Sequence, residues 1–103
     1  MSGLQSDLVN DTYRITLPRV LDIPTAADLR EMVLEMVMPE MSVTIQSDTV
    51  EQVTTPAVQV LMAVAGHIES QKARLTMAKP SDALIEGFND LGLFSQLMAW
   101  NVE

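Results

Sequence analysis

The segment Asp11 to Pro18, DTYRITLP, sets Tyr13, Ile15 and Leu17 against Thr12, Arg14 and Thr16. That is the two-residue period of a half-buried strand, and Pro18 ends it or marks a sheet edge. The period then changes. In TAADLREMVLEMVM the apolar Ala26, Leu29, Met32, Val33, Met36 and Val37 recur at three- and four-residue steps, with Asp28, Arg30, Glu31 and Glu35 between them. This predicts an amphipathic helix with Pro24 or Thr25 near its start and Pro39 just past its end. Met41 to Gln46, MSVTIQ, is short and β-branched between Pro39-Glu40 and Ser47-Asp48, and reads as a strand buried on one or both faces.

The run from Ala57 to Ile68 is too long for an ordinary strand and too apolar for a surface helix, which predicts a helix packed on more than one side. Thr55 is its expected N-cap and Pro56 its first helical residue, because proline fixes its own φ and holds the preceding residue extended. KARLTMAKP alternates again, with Ala73, Leu75 and Met77 on one face, and predicts a third strand. SDALIEGFNDLGLF opens on a capping Ser81, carries Ala83, Leu84, Ile85, Phe88 and Leu91 at helical spacing, and stops at Gly92. The final SQLMAWNVE is expected to form a short edge strand or turn carrying Trp100. Strands alternating with helices build parallel pairs covered by helices. The expected fold is therefore α/β: a small mixed sheet of about four or five strands with three to four helices packed on it.

Composition narrows the function classes. At 103 residues, 48% hydrophobic, the chain suits one domain with one core, residues 1–103. No apolar run reaches the roughly 18 to 20 residues that span a bilayer, and MSGLQSDLVND has neither a basic region nor an apolar signal core, which predicts a cytoplasmic protein. Cysteine is absent, so disulfides and thiolate chemistry are excluded. A formal net charge of −8 opposes nucleic acid or direct membrane contact, since phosphate surfaces require concentrated basic charge, and Lys72, Arg74 and Lys79 are flanked by acids. His67 is the single histidine and has no base or nucleophile partner at a recognisable spacing. Asp22 with Asp28, and Asp48 with Glu51, read as caps or solvated charges at loop and helix starts. With no glycine-rich phosphate loop either, neither enzyme activity nor a cofactor or metal is expected. Most of the eight methionines should fill core gaps, while Met38 and Met41 beside Pro39 are candidates for an adaptable docking patch.

Three stretches carry a family resemblance. PRVLDIPTAADLREMV resembles the second strand and first helix of STAS domains, the fold of bacterial anti-sigma factor antagonists. VTTPAVQVLMAVA stands where that family has an aspartate, two serines or threonines, a glycine and an apolar helix. LTMAKPSDALIEGFNDLGLFSQL resembles the last strand, the last helix and the LGL ending, so the resemblance spans about Ile15 to Leu97. It implies a stand-alone, non-enzymatic interaction module in bacterial signal transduction, whose partner is a kinase or a sensory complex. The implied phosphorylation site is Thr54, with Thr55 as second choice, and the implied partner face is Asp22, Thr54, Thr55, Pro56 and Gln59. Val53 stands in place of the family's aspartate and Pro56 in place of its glycine, which favours a chemotaxis-type adaptor over an active sigma-factor switch. The alternatives are a nucleotide or small-molecule binding STAS domain and a STAS subunit of a lipid-transport ABC complex.

Overall fold

The structure is a computed structural model that describes residues 4 to 102. Its elements run β1 (Gln5–Val9), β2 (Thr12–Thr16), β3 (Val20–Leu21), α1 (Ile23–Met36), β4 (Ser42–Gln46), β5 (Gln52–Val53), α2 (Thr55–Ser70), β6 (Arg74–Ala78), α3 (Asp82–Asp90), α4 (Phe94–Ala99) and β7 (Asn101–Val102). Five strands form one mixed sheet in the order β1-β2-β4-β6-β7. β2, β4, β6 and β7 are parallel and β1 is antiparallel to β2. The expected α/β architecture is the one observed.

The two-residue period of β2, β4 and β6 decides the layers. Tyr13, Ile15, Val43, Ile45, Leu75 and Met77 are buried, while Arg14 and Arg74 on the opposite parity are exposed and Thr44, Gln46 and Thr76 half-buried. One sheet face therefore carries the helices and the other meets solvent. Helix α2 packs against α1, β6 and α3. It buries Val58, Leu61, Val64, Ala65 and Ile68 while leaving Gln59, Ala63 and Gly66 outside. Phe88 of α3 and Trp100 close the far end of the core edge to face, with ring centroids 5.6 Å apart.

Three features depart from the sequence reading. β1 has no counterpart in it; the strand is joined to β2 by Asn10 and Asp11, whose φ values of 50° and 65° make the tight hairpin turn that twisted antiparallel strands favour. β5 likewise has no counterpart, and it forms a separate two-residue parallel pair with β3, the strand that the resemblance implies in PRVLDIP. The segment expected as a terminal strand or turn is mostly helix, because α4 buries Leu97 against the core and only then leads into β7 beside β6. Gly92, at φ 71°, stands just past α3 as expected and adopts a conformation that a side chain would strain.

Candidate functional site

Parallel strands with helical crossovers bring the helix N-termini to one end of the sheet, so the loops after β2, β4 and β6 meet there. Three side chains start the three longer helices in the same manner. Asp22 Oδ1 accepts the Thr25 amide at 3.1 Å, Thr54 Oγ1 accepts the Ala57 amide at 3.3 Å and Ser81 Oγ accepts the Leu84 amide at 3.2 Å. Each oxygen satisfies an amide three residues on that has no intrahelical partner.

The cap of α2 is thus Thr54 and not Thr55. Thr55 is the first helical residue and Pro56 the second, and proline is tolerated there because amides throughout the first turn lack helical acceptors. The Thr54 hydroxyl oxygen, at the position that the resemblance implies for phosphorylation, is therefore engaged with the helix start. α1 repeats the pattern, with Asp22 as cap and Pro24 as second helical residue.

The loop that presents Thr54 is held by its main chain. The Arg19 carbonyl accepts the Glu51 amide at 2.7 Å and the Gln52 amide at 3.1 Å, and the Leu21 carbonyl accepts the Thr54 amide at 3.1 Å. This clasp is the β3–β5 pair, and it fixes Thr54 directly beside the residue that precedes Asp22. Buried Ser47 ties the loop after β4 to its neighbours, since its amide and hydroxyl both donate to the Ala78 carbonyl and its carbonyl accepts the Ser81 amide. Arg19 and Glu51 form an exposed ion pair across the clasp.

Two open clefts flank β3. The larger, about 720 Å³, lies between the loop after β2 and the start of α1, with Arg19, Val20, Asp22 and Asp28 among its walls. The other, about 450 Å³, runs between the Thr54 loop and α3, with Thr54, Glu51, Glu86 and Asp90 among its walls. Val20 belongs to both. At the second cleft Gly87 lets α3 approach the loop closely: a methyl group there would lie 2.5 Å from Cγ1 of Val53. Hydrogen bonding from the Thr25 hydroxyl, and then from its amide, holds the Asp22 carboxyl below the ordinary aspartate pKa.

Of the residues expected at the partner face, Asp22 and Thr54 are brought together through the clasp. Thr55, Pro56 and Gln59 are exposed on the first turns of α2, Thr55 and Gln59 one turn apart, and line neither cleft. The expected cap Ser81 and the loop charge Glu51 also shape this end, as do Arg19 and Val20, which nothing in the sequence pattern singles out for it. Val20 and Ile23, 43% and 55% exposed, add apolar surface on either side of Asp22. His67 lies in the last turn of α2, far from Thr54. Of the two methionines beside Pro39, Met38 is exposed while Met41 packs partly on the core. Among the described residues no group of three or more His, Cys, Asp or Glu side chains is placed to hold a metal ion.

The family model described as Mlab, STAS domain, matches residues 4–98, nearly the whole chain. The chain belongs to the STAS domain family. Two solved structures share its fold. One is described as the anti-sigma factor antagonist SpoIIAA in its unphosphorylated form; it is 16% identical, with a TM-score of 0.73 over 98% of this chain and 86% of that one. The other is a serine-to-glutamate variant of Moorella thermoacetica RsbS, 17% identical, with a TM-score of 0.79 over 99% of this chain and 86% of that one. A search of curated proteins returned no match. In this STAS domain, no helix among the described residues is long and apolar enough to cross a membrane.

Proposed function

We propose that this STAS domain is a cytoplasmic, non-enzymatic interaction module of bacterial signal transduction. A protein partner, a kinase or a sensory complex, docks on the end of the sheet where Asp22, Thr54, Thr55, Pro56 and Gln59 lie. The observation that carries this reading is the presentation of Thr54: exposed, at the N-cap of α2, on a loop held by main-chain bonds. A surface that is preformed loses little conformational freedom on binding. A phosphate added to Thr54 would stand at the positive end of a 16-residue helix, which favours the new charge. Glu51, Glu86 and Asp90 around the adjoining cleft would meet that charge unfavourably and give the modification its effect on a partner.

Val53 in place of an acid packs on Gly87 of α3. The loop is thereby held by an apolar contact where a carboxylate could have made a hydrogen bond, and by analogy with the family the lack of that acid, with Pro56 in place of glycine, favours a chemotaxis-type adaptor over an active sigma-factor switch. A lipid-transport ABC complex would be a different partner for the same face. The reading as a binder of nucleotides or other small molecules has in its favour the cleft of about 720 Å³, a size typical of ligand sites. Against it, Asp22 and Asp28 line that cleft and Arg19 is already engaged by Glu51.

Pull-downs from the source cell with wild type, Thr54→Glu and Gln59→Lys, together with mass spectrometry of Thr54 in the native protein, test the proposal. A protein set captured by wild type and depleted by both variants supports the face. Identical sets for all three baits with no phosphate on Thr54 remove it, and saturable nucleotide binding that protects Asp22 and Thr25 from hydrogen exchange would favour the small-molecule reading.

A further inference from the structure

Away from the Thr54 end, one strand lacks its helical cover. β1 is the sheet edge and pairs only with β2 among the described residues. Its register places Ser6 opposite Ile15 and Leu8 opposite Tyr13, so these two side chains lie on the helix-facing side. Yet every residue of β1 is exposed, and Leu8 is 59% exposed. The nearest helix, α1, stops short of the strand and leaves an open groove of about 420 Å³ between them. Apolar Tyr13, Met32 and Met36 line this groove, and its charged groups are Asp28, Glu31 and Glu35, with no lysine or arginine among them. None of its residues lines the cleft beside Thr54.

Edge strands in stable proteins are ordinarily blunted by a charge on the buried side, a proline, a bulge or a covering element. β1 has no proline, its single charge, Asp7, lies on the solvent side opposite Arg14, and the helix-facing row offers Ser6 and Leu8. A second copy of the chain is a poor occupant. Antiparallel pairing of two β1 strands about a two-fold axis would set the Asp28, Glu31 and Glu35 flank of one α1 against the same flank of the other, like charge facing like charge.

We propose that the β1–α1 groove receives an extended, basic amphipathic segment of another protein, which adds to the sheet as a strand beside β1. Main-chain bonds to the strand edge supply the register, and pockets for alternate side chains supply the selectivity. The spacing suits a basic segment. Glu31 and Glu35 are four residues apart on α1, about 6 Å along its axis, and inward side chains of a strand recur about every 6.7 Å. Two successive inward lysines or arginines therefore meet the two glutamates, and an inward apolar residue covers Leu8 and Met36.

The test is ¹⁵N NMR titration of the full chain with an acetylated, amidated peptide of about eight residues in which two lysines and two leucines alternate with threonine, a length typical of strands. A control peptide carries glutamate for lysine. The expected result is saturable shifts confined to β1, Met32 and Met36, weakened about tenfold or more in Glu31→Lys/Glu35→Lys and in Leu8→Asp, and unchanged in Thr54→Glu, with no response to the glutamate control. Leu8 and both glutamates are exposed, so the variants keep the fold, as their spectra will record. Absence of shifts at millimolar peptide, equal binding of both peptides, or shifts centred on the Thr54 loop overturn the proposal. Concentration-dependent dimerisation through β1, seen by sedimentation and lost in Leu8→Asp, would assign the groove to a second copy and overturn it as well.

Discussion

Gly87→Ala puts the packing of the Thr54 loop to a quantitative test. The new methyl would lie 2.5 Å from Cγ1 of Val53 and 3.7 Å from Cγ2 of Val58. Carbon atoms pack best at about 3.5 to 4.0 Å, so the first contact is too close by roughly 1 Å or more. Val53 cannot easily turn away, because its branched Cβ stiffens χ1 and the β3–β5 bonds fix its backbone. Overpacking of this kind costs about 1 to 3 kcal/mol. Opposing it, alanine is favoured over glycine inside a helix by about 1 kcal/mol, and Gly87 lies within α3. The net expectation is a loss of up to about 2 kcal/mol, read as a lower urea midpoint at unchanged slope. Val53→Ala removes the clashing methyl at a cost of about 1 kcal/mol for this half-buried side chain. In that background Gly87→Ala should reverse sign and stabilise by up to about 1 kcal/mol. The double-mutant cycle thus isolates a coupling of about 1 to 3 kcal/mol. If Gly87→Ala raises the midpoint equally in both backgrounds, the close approach of α3 to the loop is refuted.

Thr54→Ala should destabilise by about 0.5 to 2 kcal/mol and Thr54→Asn should be near neutral, whereas Thr55→Ala should stay within about 0.5 kcal/mol; urea titrations of the three decide which threonine caps α2. The Asp22 carboxyl has a lower pKa folded than unfolded, so its contribution is present above the unfolded aspartate value and fades as pH falls through the folded one. Asp22→Asn retains the cap but does not titrate, and its stability should fall less steeply on the acid side, which denaturant midpoints across the acid range will measure. Ser81→Ala should cost about 1 kcal/mol through loss of the α3 cap, seen as a lowered melting temperature and faster hydrogen exchange at Leu84.

The three central strands, α1 and α3 are legible in the sequence because burial there is one-sided, so period and packing agree, while α2, packed by α1, β6 and α3, is legible from the length of its apolar run. Tyr13, Ile15 and Leu17 alternate since one face of β2 is core, and Ser81 and Gly92 bracket α3 as capping chemistry dictates. β1 escapes such a reading because neither of its faces is covered, which leaves QSDLV with no period; its one signal is the Asn10-Asp11 pair, residues suited to a turn with positive φ. β3 is legible only through the resemblance and β5 not at all, since both are made by main-chain bonds over two residues each, and such bonds leave no period in the side chains. α4 buries a single residue, Leu97, which is too little to establish a helical period. The sequence places the α2 cap one residue late because a proline is equally at home at the first and second helical positions. Asp22, Thr54 and Thr55 follow from the resemblance, while Val20, Glu51 and Gly87 join the site only through folding. His67 is the half-buried helix residue that its lack of partners suggests.

The clasp between residues 19–21 and 51–54 separates shape from identity. Its bonds run between carbonyls and amides that any residue but proline provides in full, and the side-chain link across it among the described residues, between Arg19 and Glu51, is exposed, where solvent screening leaves an ion pair little weight. Arg19, Val20, Glu51 and Gln52 can therefore be exchanged with little penalty to the loop's course. Duplicate copies of such a gene could drift at these four positions and acquire separate partners while inheriting one fold intact. For the protein engineer, the same four positions form a ready site for randomisation, a socket whose frame stays fixed while its contents change.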